Sequence, residues 1–493
     1  MSGSMKRVVI AGGGTAGWIV AAALSHQLGE LLDITLVESE EISTVGVGEA
    51  TIPPMRTFHR LLGIDEQEFM KATDATFKLG IQFEDWKQIG EKYFHSFGFT
   101  GKHTLITDFI HFWLRGKKLG VARDFGSYCL EFKAALNGRF SLGKRSNLNY
   151  AFHIDAGRYA SFLKKLSEAR GVKWVEGKIA QVNQEPVFGY ISSLTMETGE
   201  QLPGDLFIDC TGMRGLLIEK ALETGFEDWG HWLPCDTAIV VQTQRKGAVP
   251  PYTRSVAQQA GWRWQIPLQY RVGNGVVFSS QYMSCDEAKD ILLSNVDGML
   301  LTEPRLVKFK TGRRKKTWNK NCIAIGLSSG FLEPLESTSI HMIMTAVTRL
   351  LQLFPSDEIK QSYVEEYNSQ TKCEYERIRD FIILHYKVTE RDDSPFWNYC
   401  RNMCVPPDLQ HRIDLFKESG RSIQVEGELF RLDSWTQVML GQGIIPELYH
   451  PIVELMSEDS LKKMLDDIAT GVDSSMATMS THDEFIQKYC TAG

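Results

Sequence analysis

The chain has 493 residues, of which 43% are hydrophobic and 23% charged, and its 54 Lys and Arg against 61 Asp and Glu give a net charge of −7. This composition is typical of folded proteins and excludes disordered, collagen-like and fibrous chains. The acidic balance argues against nucleic acid as a main partner, and no apolar run reaches the roughly 18 residues that a membrane span needs.

The start of the sequence and its cysteines bear on cellular location. A strand predicted from Arg7 onward leaves no room for a secretion signal ahead of it. The nine cysteines are odd in number and form no Cys-x-x-Cys pair, and Cys400 and Cys404 lack the clustered histidines or second pair of a zinc site. We therefore expect a cytoplasmic protein with structural thiols, no metal and no membrane partner.

Strands and helices alternate in the first part of the chain. A strand at Arg7–Ile10 leads through a Gly-rich turn into a helix, and a second strand follows at Asp33–Val37. Apolar spacing predicts a helix over 157–171 and another from Ser339 to about residue 354, where Pro355 ends it. Further strands are predicted at Lys173–Val175, Asp205–Cys210 and Cys322–Leu327.

This alternation predicts an α/β fold, and the length of the chain predicts more than one core. We expect a nucleotide-binding domain over residues 5–350, which also contains inserted substrate-side strands and helices. Beyond it, residues 351–493 are expected to form a mostly helical domain that completes the substrate site.

The turn after the first strand has the pattern of a dinucleotide site. Gly12, Gly14 and Gly17 form G-x-G-x-x-G between a strand and a helix, where the helix N-terminus can hold a pyrophosphate. The next strand ends in Glu38, 21 residues beyond Gly17, where a carboxylate can bind ribose hydroxyls. The pattern by itself leaves FAD and NAD open.

Two later strands favour FAD. The predicted strands Asp205–Cys210 and Cys322–Leu327 also run into glycine-containing turns. Three such turns at one sheet edge suit the long, folded FAD molecule better than NAD, although both later turns could be ordinary sheet connections.

Five segments, in this order, match a known family: Gly12–Gly17, Gly46–Pro53, Phe77–Gly80, Gly261–Pro267 and Phe331–Thr338. Together they resemble the flavin-dependent tryptophan halogenases, whose hallmark is the Trp-x-Trp-x-Ile-Pro run found here from Trp262 to Pro267. The resemblance extends from residue 6 to about 450. It implies an FAD-binding Rossmann-like domain of the aromatic-hydroxylase type with a mostly helical substrate-binding annex.

The resemblance also implies a two-component enzyme. Such an enzyme takes FADH2 from a separate flavin reductase and uses O2 with chloride or bromide to make hypohalous acid; a homodimer is the expected assembly. The residues expected at the FAD are Gly12, Gly14, Ala16, Gly17, Glu38, Val47, Ala50, Val182, Leu327 and Ile340.

Lys78 and Glu336 are the expected catalytic residues. By the resemblance, hypohalous acid reaches Lys78, which holds it by a hydrogen bond or as a haloamine, while Glu336 polarises the electrophile and removes the ring proton. From the residues alone, Lys78 could be an ordinary solvated lysine, and Glu336 could be a carboxylate favoured beside a helix N-terminus.

The free amides of a first helical turn attract anions, so we expect a halide to be bound by the backbone amides of Thr338 and Ser339. The tryptophan-specific members of the family usually have glycine where Ser339 stands. Simple capping of the helix by this segment is the alternative. Trp262 and Trp264 share a face if their segment is extended; they either keep the flavin from hydroxylating directly or fill the core.

His95 and Phe97 resemble the His-x-Phe segment that lines the indole pocket of the family. The tyrosine pair that grips the amino-acid part of tryptophan is not found near Trp435, so an indole or another small electron-rich aromatic is as good a candidate substrate as tryptophan. An aromatic hydroxylase and a catalytically inactive FAD-binding protein are the alternative functions. The basic run Arg313–Lys316 favours a solvated surface.

Overall fold

The computed structural model describes residues 5–41, 48–143 and 147–491. They fall into two compact units, each assembled from three chain segments. The first unit comprises Met1–Ala75, Ile154–Asp236 and Lys308–Glu376, and the second comprises Thr76–His153, Thr237–Val307 and Arg377–Gly493. This division does not coincide with the single boundary near residue 350 that the sequence suggests, because sequence position does not reveal which segments pack together.

A six-stranded sheet is the centre of the first unit. Its order is Trp318–Asn319, Cys322–Ala324, Leu206–Asp209, Arg7–Ala11, Asp33–Glu38 and Lys173–Glu176. All pairs run parallel except the one between the first two strands. Val8 to Ala11 are fully buried, as expected of a central parallel strand covered on both faces. The predicted α/β class is confirmed.

Three helices of the first unit lie close to their predicted positions, namely Thr15–Leu28, Ala156–Ala169 and Ser339–Gln352, whereas Pro54–Leu61 and Glu66–Ala72 were not predicted. The helix Gln361–Lys387 contains the boundary between residues 376 and 377. The helix Thr15–Leu28 is apolar on most sides, and its residues from Trp18 to Leu24 are buried. The shorter strands are Glu49–Ala50, Ile179–Gln184, Ile191–Met196, Gln201–Pro203, Phe226–Asp228, Gly312–Arg314 and Gly330–Phe331.

A seven-stranded sheet dominates the second unit. Its order is Arg305–Lys308, Thr237–Gln244, Arg271–Phe278, Gly261–Pro267, Thr253–Gln258, Gly80–Glu84 and Lys92–Ser96. Thr253–Gln258 runs parallel to Gly80–Glu84, whereas Gly80–Glu84 and Lys92–Ser96 form an antiparallel pair. Separate strand pairs join Thr76–Lys78 to Ala151–Ile154 and Arg139–Phe140 to Ser480–Thr481.

Helices make up much of the remaining second unit. They are Phe109–Lys118, Leu130–Leu136, Cys285–Ser294, Pro395–Asn402, Pro407–Ser419, Leu432–Gly441, Glu458–Ala477 and His482–Thr491. Among the described residues, no helix combines the length and the apolar character needed to cross a membrane.

Candidate active site

The Gly-rich turn of the first unit allows the strand, the turn and the helix to approach closely. Gly12 has a φ of +107°, and a Cβ placed on it would collide with the carbonyl oxygen of Cys210. A Cβ on Gly17 would collide with the carbonyl oxygen of Gly12. Gly14 precedes the helix without a side-chain cap, so the amides of the first turn point toward whatever lies before it.

The three predicted strand ends meet in the first unit. Arg7–Ala11, Leu206–Asp209 and Cys322–Ala324 are parallel neighbours, so their carboxyl ends lie at one edge of the sheet. A Cβ placed on Gly326, in the turn after the third strand, would lie 2.8 Å from the Cβ of Ala16. Ligands of open α/β sheets bind at this edge, and the small residues here leave room for a pyrophosphate at the helix N-terminus. These residues fit a flavin dinucleotide.

Glu38 ends the strand beside this turn and packs directly against Gly13. Burial raises the pKa of the Glu38 carboxyl, and the positive charge of Lys164 opposes that shift. The two side chains form an ion pair of 3.9 Å, and the Lys164 ammonium lies 3.4 Å from the ring centre of Trp174. The sequence pattern did not indicate that Lys164 and Trp174 lie beside Glu38. The ribose-binding role of Glu38 stays a prediction.

The other residues predicted at the FAD have different surroundings. Val47 lies outside the described residues. Ala50 is buried in a two-residue strand, and Leu327 lies in the turn that contains Gly326. Ile340 is buried in the first turn of the helix Ser339–Gln352, whereas Val182 packs against the hydrophobic core beside the six-stranded sheet. Their contacts with a cofactor stay predictions.

Replacing Gly14 with valine should weaken flavin binding by about tenfold or more, which corresponds to about 1.4 kcal/mol. The backbone of Gly14 has a φ of −70°, which valine can adopt, so the fold should persist while the new side chain occupies the space before the helix. A fluorescence titration with FAD checks this, with Gly157→Ala, at a helix start near little else, as the control. Unchanged affinity would contradict the phosphate role of the turn.

Lys78 lies in the second unit, and its side chain is completely buried. Its strand pairs Thr76 with His153 and Lys78 with Ala151. Because side chains alternate along a strand and cross-strand partners share a face, Thr76, Lys78 and His153 project to the same side. The Lys78 ammonium lies 5.2 Å from the ring centre of Phe97, at cation–π distance.

The other face of this strand is a solid aromatic core. Phe77 stacks on Phe140 with ring centres 4.1 Å apart, and Tyr150, Phe485 and Tyr489 contact it edge-on within 5.7 Å. This packing fixes the strand, and hence the direction of the Lys78 side chain on the opposite face.

The structure places Phe97 beside Lys78, and His95 lies next to an aromatic cluster. His95 pairs with Ile81 across the sheet, and the Phe97 amide donates to the carbonyl of Leu79 at 2.9 Å. The buried His95 ring lies 5.6 Å from the ring of Phe381. Phe381 in turn stacks on Phe430 at 3.8 Å and meets Trp435 edge-on at 4.8 Å. These three aromatic residues, distant in sequence, extend the predicted aromatic site.

A second group of side chains forms hydrogen bonds with the backbone of the His95–Phe97 segment. The Ser96 amide donates to Gln437 Oε1 at 2.7 Å, and the Asn149 side-chain amide donates to the carbonyl of Phe97 at 2.8 Å. Glu131 accepts the backbone amide of Asn149 at 2.7 Å, and its carboxylate packs directly against Gly98. Burial raises the pKa of Glu131. None of these supports was predicted.

Glu336, Thr338 and Ser339 lie close together in the first unit. Glu336 ends the short 3₁₀ turn Pro334–Glu336 and is 1% exposed. Ser337 then adopts a φ of +60°, and Thr338 precedes the helix Ser339–Gln352 without capping it through its side chain. The completely buried Thr338 hydroxyl has no hydrogen-bond partner among the described residues, so the alternative of side-chain capping does not apply to Thr338. The relation of Glu336 to Lys78, which belongs to the other unit, stays a prediction.

Comparison with known proteins gives a consistent result. A family model for tryptophan halogenases matches residues 7–458. Tryptophan 7-halogenase RebH of Lentzea aerocolonigenes is 32% identical over 99% of each chain. The structure of a flavin-dependent halogenase from Xanthomonas campestris superposes with a TM-score of 0.98 at 51% identity over 99% of each chain. The halogenase BrvH of Brevundimonas sp. BAL3 gives 0.94 at 43% identity, covering 98% of this chain and 99% of that one.

This chain belongs to the tryptophan halogenase family. It is therefore a flavin-dependent halogenase by family, and its FAD-binding Rossmann-like fold is the fold of those solved structures. The resemblance found in the sequence motifs is confirmed.

The family's paired tryptophans are extended and share a face, as predicted. The rings of Trp262 and Trp264 lie 5.8 Å apart on the strand Gly261–Pro267. Trp262 is buried, and Trp264 is accommodated because Gly275 has no side chain: a Cβ there would collide with the Trp264 ring. Whether this halogenase uses the pair to restrain its flavin stays a prediction.

The basic run of this halogenase is not a solvated surface throughout. Arg313 and Arg314 are each 6% exposed. Arg313 pairs with Glu227 at 2.7 Å, and Arg314 pairs with Glu219 at 2.9 Å. The interpretation from charge alone was wrong for these two residues, because acidic partners from distant segments neutralise them.

Among the described residues, no group of three or more His, Cys, Asp or Glu could hold a metal ion.

In the loop after Phe97, His103 forms ion pairs with two aspartates. His103 Nδ1 lies 3.1 Å from Asp108, and His103 Nε2 lies 3.2 Å from Asp433. Both ring nitrogens face carboxylates, and these hydrogen bonds raise the pKa of His103 to about 10. Asp433 also accepts the Thr100 amide at 2.9 Å, which ties the loop to the helix Leu432–Gly441.

This arrangement predicts a loss of stability at high pH. Because the pKa of His103 in the folded state, about 10, exceeds its ordinary value of 6.5, the stabilisation is complete below pH 6.5 and disappears as pH rises through 10. The side chain is 30% exposed, so solvent screening limits the effect to about 1 kcal/mol. Thermal unfolding should show His103→Gln below wild type at pH 6 and close to it near pH 10. A constant difference would contradict the ion-pair assignment.

Proposed function

We propose that this protein halogenates a small, electron-rich aromatic such as an indole or tryptophan. It would take FADH2 from a separate flavin reductase and consume O2 and chloride or bromide. Lys78 and Glu336 would deliver hypohalous acid to the ring. The observation that carries the proposal is the complete burial of the Lys78 side chain, with its ammonium 5.2 Å from the Phe97 ring centre. Burying a lysine so completely is costly and is rare unless its charge is paired, so Lys78 is held inside the protein by its surroundings and is not an ordinary solvated lysine.

The cofactor would be held by the first unit. Gly12, Gly14 and Gly17 leave the space for its pyrophosphate, and Glu38 offers a carboxylate to its ribose. When bound, FADH2 would donate two electrons to O2, and the resulting two-electron oxidant would convert halide into hypohalous acid. For the halide, the backbone amides of Thr338 and Ser339 and the buried Thr338 hydroxyl are the candidate donors.

Lys78 would hold hypohalous acid through a hydrogen bond from its ammonium or form a haloamine from its neutral amine. In the hydrogen-bonded form, transfer of the halogen to the ring carbon would release hydroxide, which becomes water by taking a proton from the Lys78 ammonium. In the haloamine form, water would leave when the nitrogen–halogen bond forms, and the halogen would then pass from nitrogen to the ring carbon. In both forms the ring loses one proton. Glu336 is suited to take that proton, since a buried carboxylate is a competent general base. Burial also keeps hypohalous acid away from bulk water and from oxidisable surface groups.

The aromatic residues around His95 suit a flat substrate. Phe97 offers a ring face beside Lys78, and Phe381, Phe430 and Trp435 extend the apolar surface. The absence of the tyrosine pair near Trp435 disfavours the amino-acid part of free tryptophan.

The decisive experiment uses the purified protein with FAD and NADH, with and without a flavin reductase, in chloride, in bromide and in halide-free buffer. Indole, phenol and tryptophan are offered, and products are read by mass spectrometry. We expect a halogenated indole only when reductase and halide are both present. A hydroxylated product without halogen, formed without the reductase, would instead identify an aromatic hydroxylase. No product under any condition would favour a flavin-binding protein without catalysis.

Sedimentation of the same sample tests the expected homodimer.

A further inference from the structure

A completely buried histidine, His153, is hydrogen-bonded on both sides of its ring within the second unit. Its Nδ1 lies 3.0 Å from the Thr76 hydroxyl, and its Nε2 lies 2.9 Å from the Thr253 hydroxyl. The Thr76 hydroxyl also donates to the carbonyl oxygen of Pro267 at 2.7 Å. These four residues belong to four different strands.

The carbonyl oxygen of Pro267, at one end of this chain of hydrogen bonds, determines the direction of the others. A carbonyl oxygen can only accept, so the Thr76 proton is committed to Pro267. Thr76 must therefore accept from His153 Nδ1–H, and the unprotonated Nε2 accepts from the Thr253 hydroxyl. The chain of hydrogen bonds is complete with a neutral imidazole, and no buried polar atom in it lacks a partner.

This chain of hydrogen bonds lies next to Lys78 in both sequence and space. Thr76 and Lys78 are two residues apart on one strand, and both share a face with His153, the cross-strand partner of Thr76. Pro267 ends the strand that carries Trp262 and Trp264. Burial, followed by the electrostatic influence of Lys78 and then of His482, holds the pKa of His153 well below its ordinary value. The imidazole therefore adds no second positive charge beside the Lys78 ammonium.

We propose that His153, acting through Thr76, is a positioning residue for Lys78: it fixes the strand Thr76–Lys78 against the end of the strand Gly261–Pro267, and so sets where the ammonium meets the substrate. The inference rests on the proposed function of Lys78. It assigns His153 no contact with substrate or cofactor. A misplacement of about 1 Å at a reacting group can lower a rate roughly a hundredfold, so modest movement of this strand is enough to matter.

The test uses variants that remove single hydrogen bonds at nearly constant shape. Thr76→Val removes the hydroxyl, and Thr76→Ser retains it as the matched control. His153→Phe removes both ring nitrogens. His59→Phe is a control for losing a buried histidine, since His59 is also buried and bonds Tyr159 at 2.9 Å in the first unit. Each variant is assayed for halogenated product per flavin oxidised, kcat, KM, FAD affinity and thermal unfolding, and crystal structures locate Lys78 Nζ.

We expect Thr76→Val and His153→Phe each to lower product per flavin oxidised and kcat by about tenfold to a hundredfold. FAD affinity should persist, and Thr76→Ser and His59→Phe should retain the wild-type ratio. The double variant should lose no more than the worse single variant, because one hydrogen-bond chain is broken either way. In the crystal structure of Thr76→Val, Lys78 Nζ should be displaced from its wild-type position.

Two results would overturn the positioning role. One is a lower unfolding temperature of both variants with an unchanged product ratio, which would make His153 purely structural. The other is an unmoved Lys78 Nζ in Thr76→Val; if His153→Phe fails to fold, Thr76→Val still decides. Failure of the proposed function would look different from these two results, because the wild-type protein itself would then give no halogenated product. The position of Lys78 Nζ comes from the crystal structure and does not depend on activity.

Discussion

Replacing Lys78 with alanine is expected to abolish halogenation while flavin binding and flavin oxidation persist. The side chain is completely buried and its ammonium faces the Phe97 ring, so its removal leaves a cavity where hypohalous acid would be held. Without an amine to retain it, the acid is expected to escape or to oxidise other groups, and selective transfer to the ring should stop. Product is measured by mass spectrometry, and the released oxidant by trapping with monochlorodimedone.

The control for this prediction is Lys117→Ala. Lys117 also places its ammonium over an aromatic ring, 5.0 Å from Trp113, but is exposed on the helix Phe109–Lys118. It should retain wild-type turnover. Lys78→Ala could also lose stability through its cavity, so FAD affinity and thermal unfolding are recorded with the same samples. Regioselective halogenation by a folded Lys78→Ala protein would remove Lys78 from the mechanism.

The parts of this protein that were predictable from sequence depend on local backbone requirements. The turn Gly12–Gly17 could be recognised because the close approach of strand and helix tolerates no side chain there. The central strand Arg7–Ala11 could be recognised because a parallel strand covered on both faces needs a continuous apolar run. Trp262 and Trp264 could be placed on one face because alternation along a strand is a property of the backbone itself.

What could not be predicted depends on pairs that are far apart in sequence. The Ser96 amide donates a hydrogen bond to Gln437, which is 341 residues away in sequence, and the Thr100 amide donates one to Asp433, 333 residues away. Arg313 and Arg314 read as solvated because their acidic partners come from other segments. His153 resembles any core histidine until its two threonine partners are known. Periodicity and spacing report local structure, and these contacts are set by the topology of the sheets.

Changing Glu336 to glutamine is expected to slow halogenation roughly a hundredfold, a typical contribution of a general base. Glutamine preserves the shape of this 1%-exposed side chain but cannot accept the proton that the ring loses after the halogen is transferred. Single-turnover measurements separate this chemical step from flavin reduction, which should be unaffected. Substrates deuterated at the reacting carbon should also show a larger isotope effect in the variant, because proton removal then limits the rate.

The control for Glu336 is another acidic residue of the same unit whose role is structural. Glu374 pairs with Arg349 at 3.0 Å, so Glu374→Gln should lower the unfolding temperature while leaving single-turnover halogenation close to wild type. A Glu336→Gln variant that behaves in the same way, with stability lost and the rate unchanged, would reduce Glu336 to a carboxylate that shapes the start of the helix Ser339–Gln352. Opposite responses of the two variants would mean that the charge of Glu336 is used in the reaction rather than in folding.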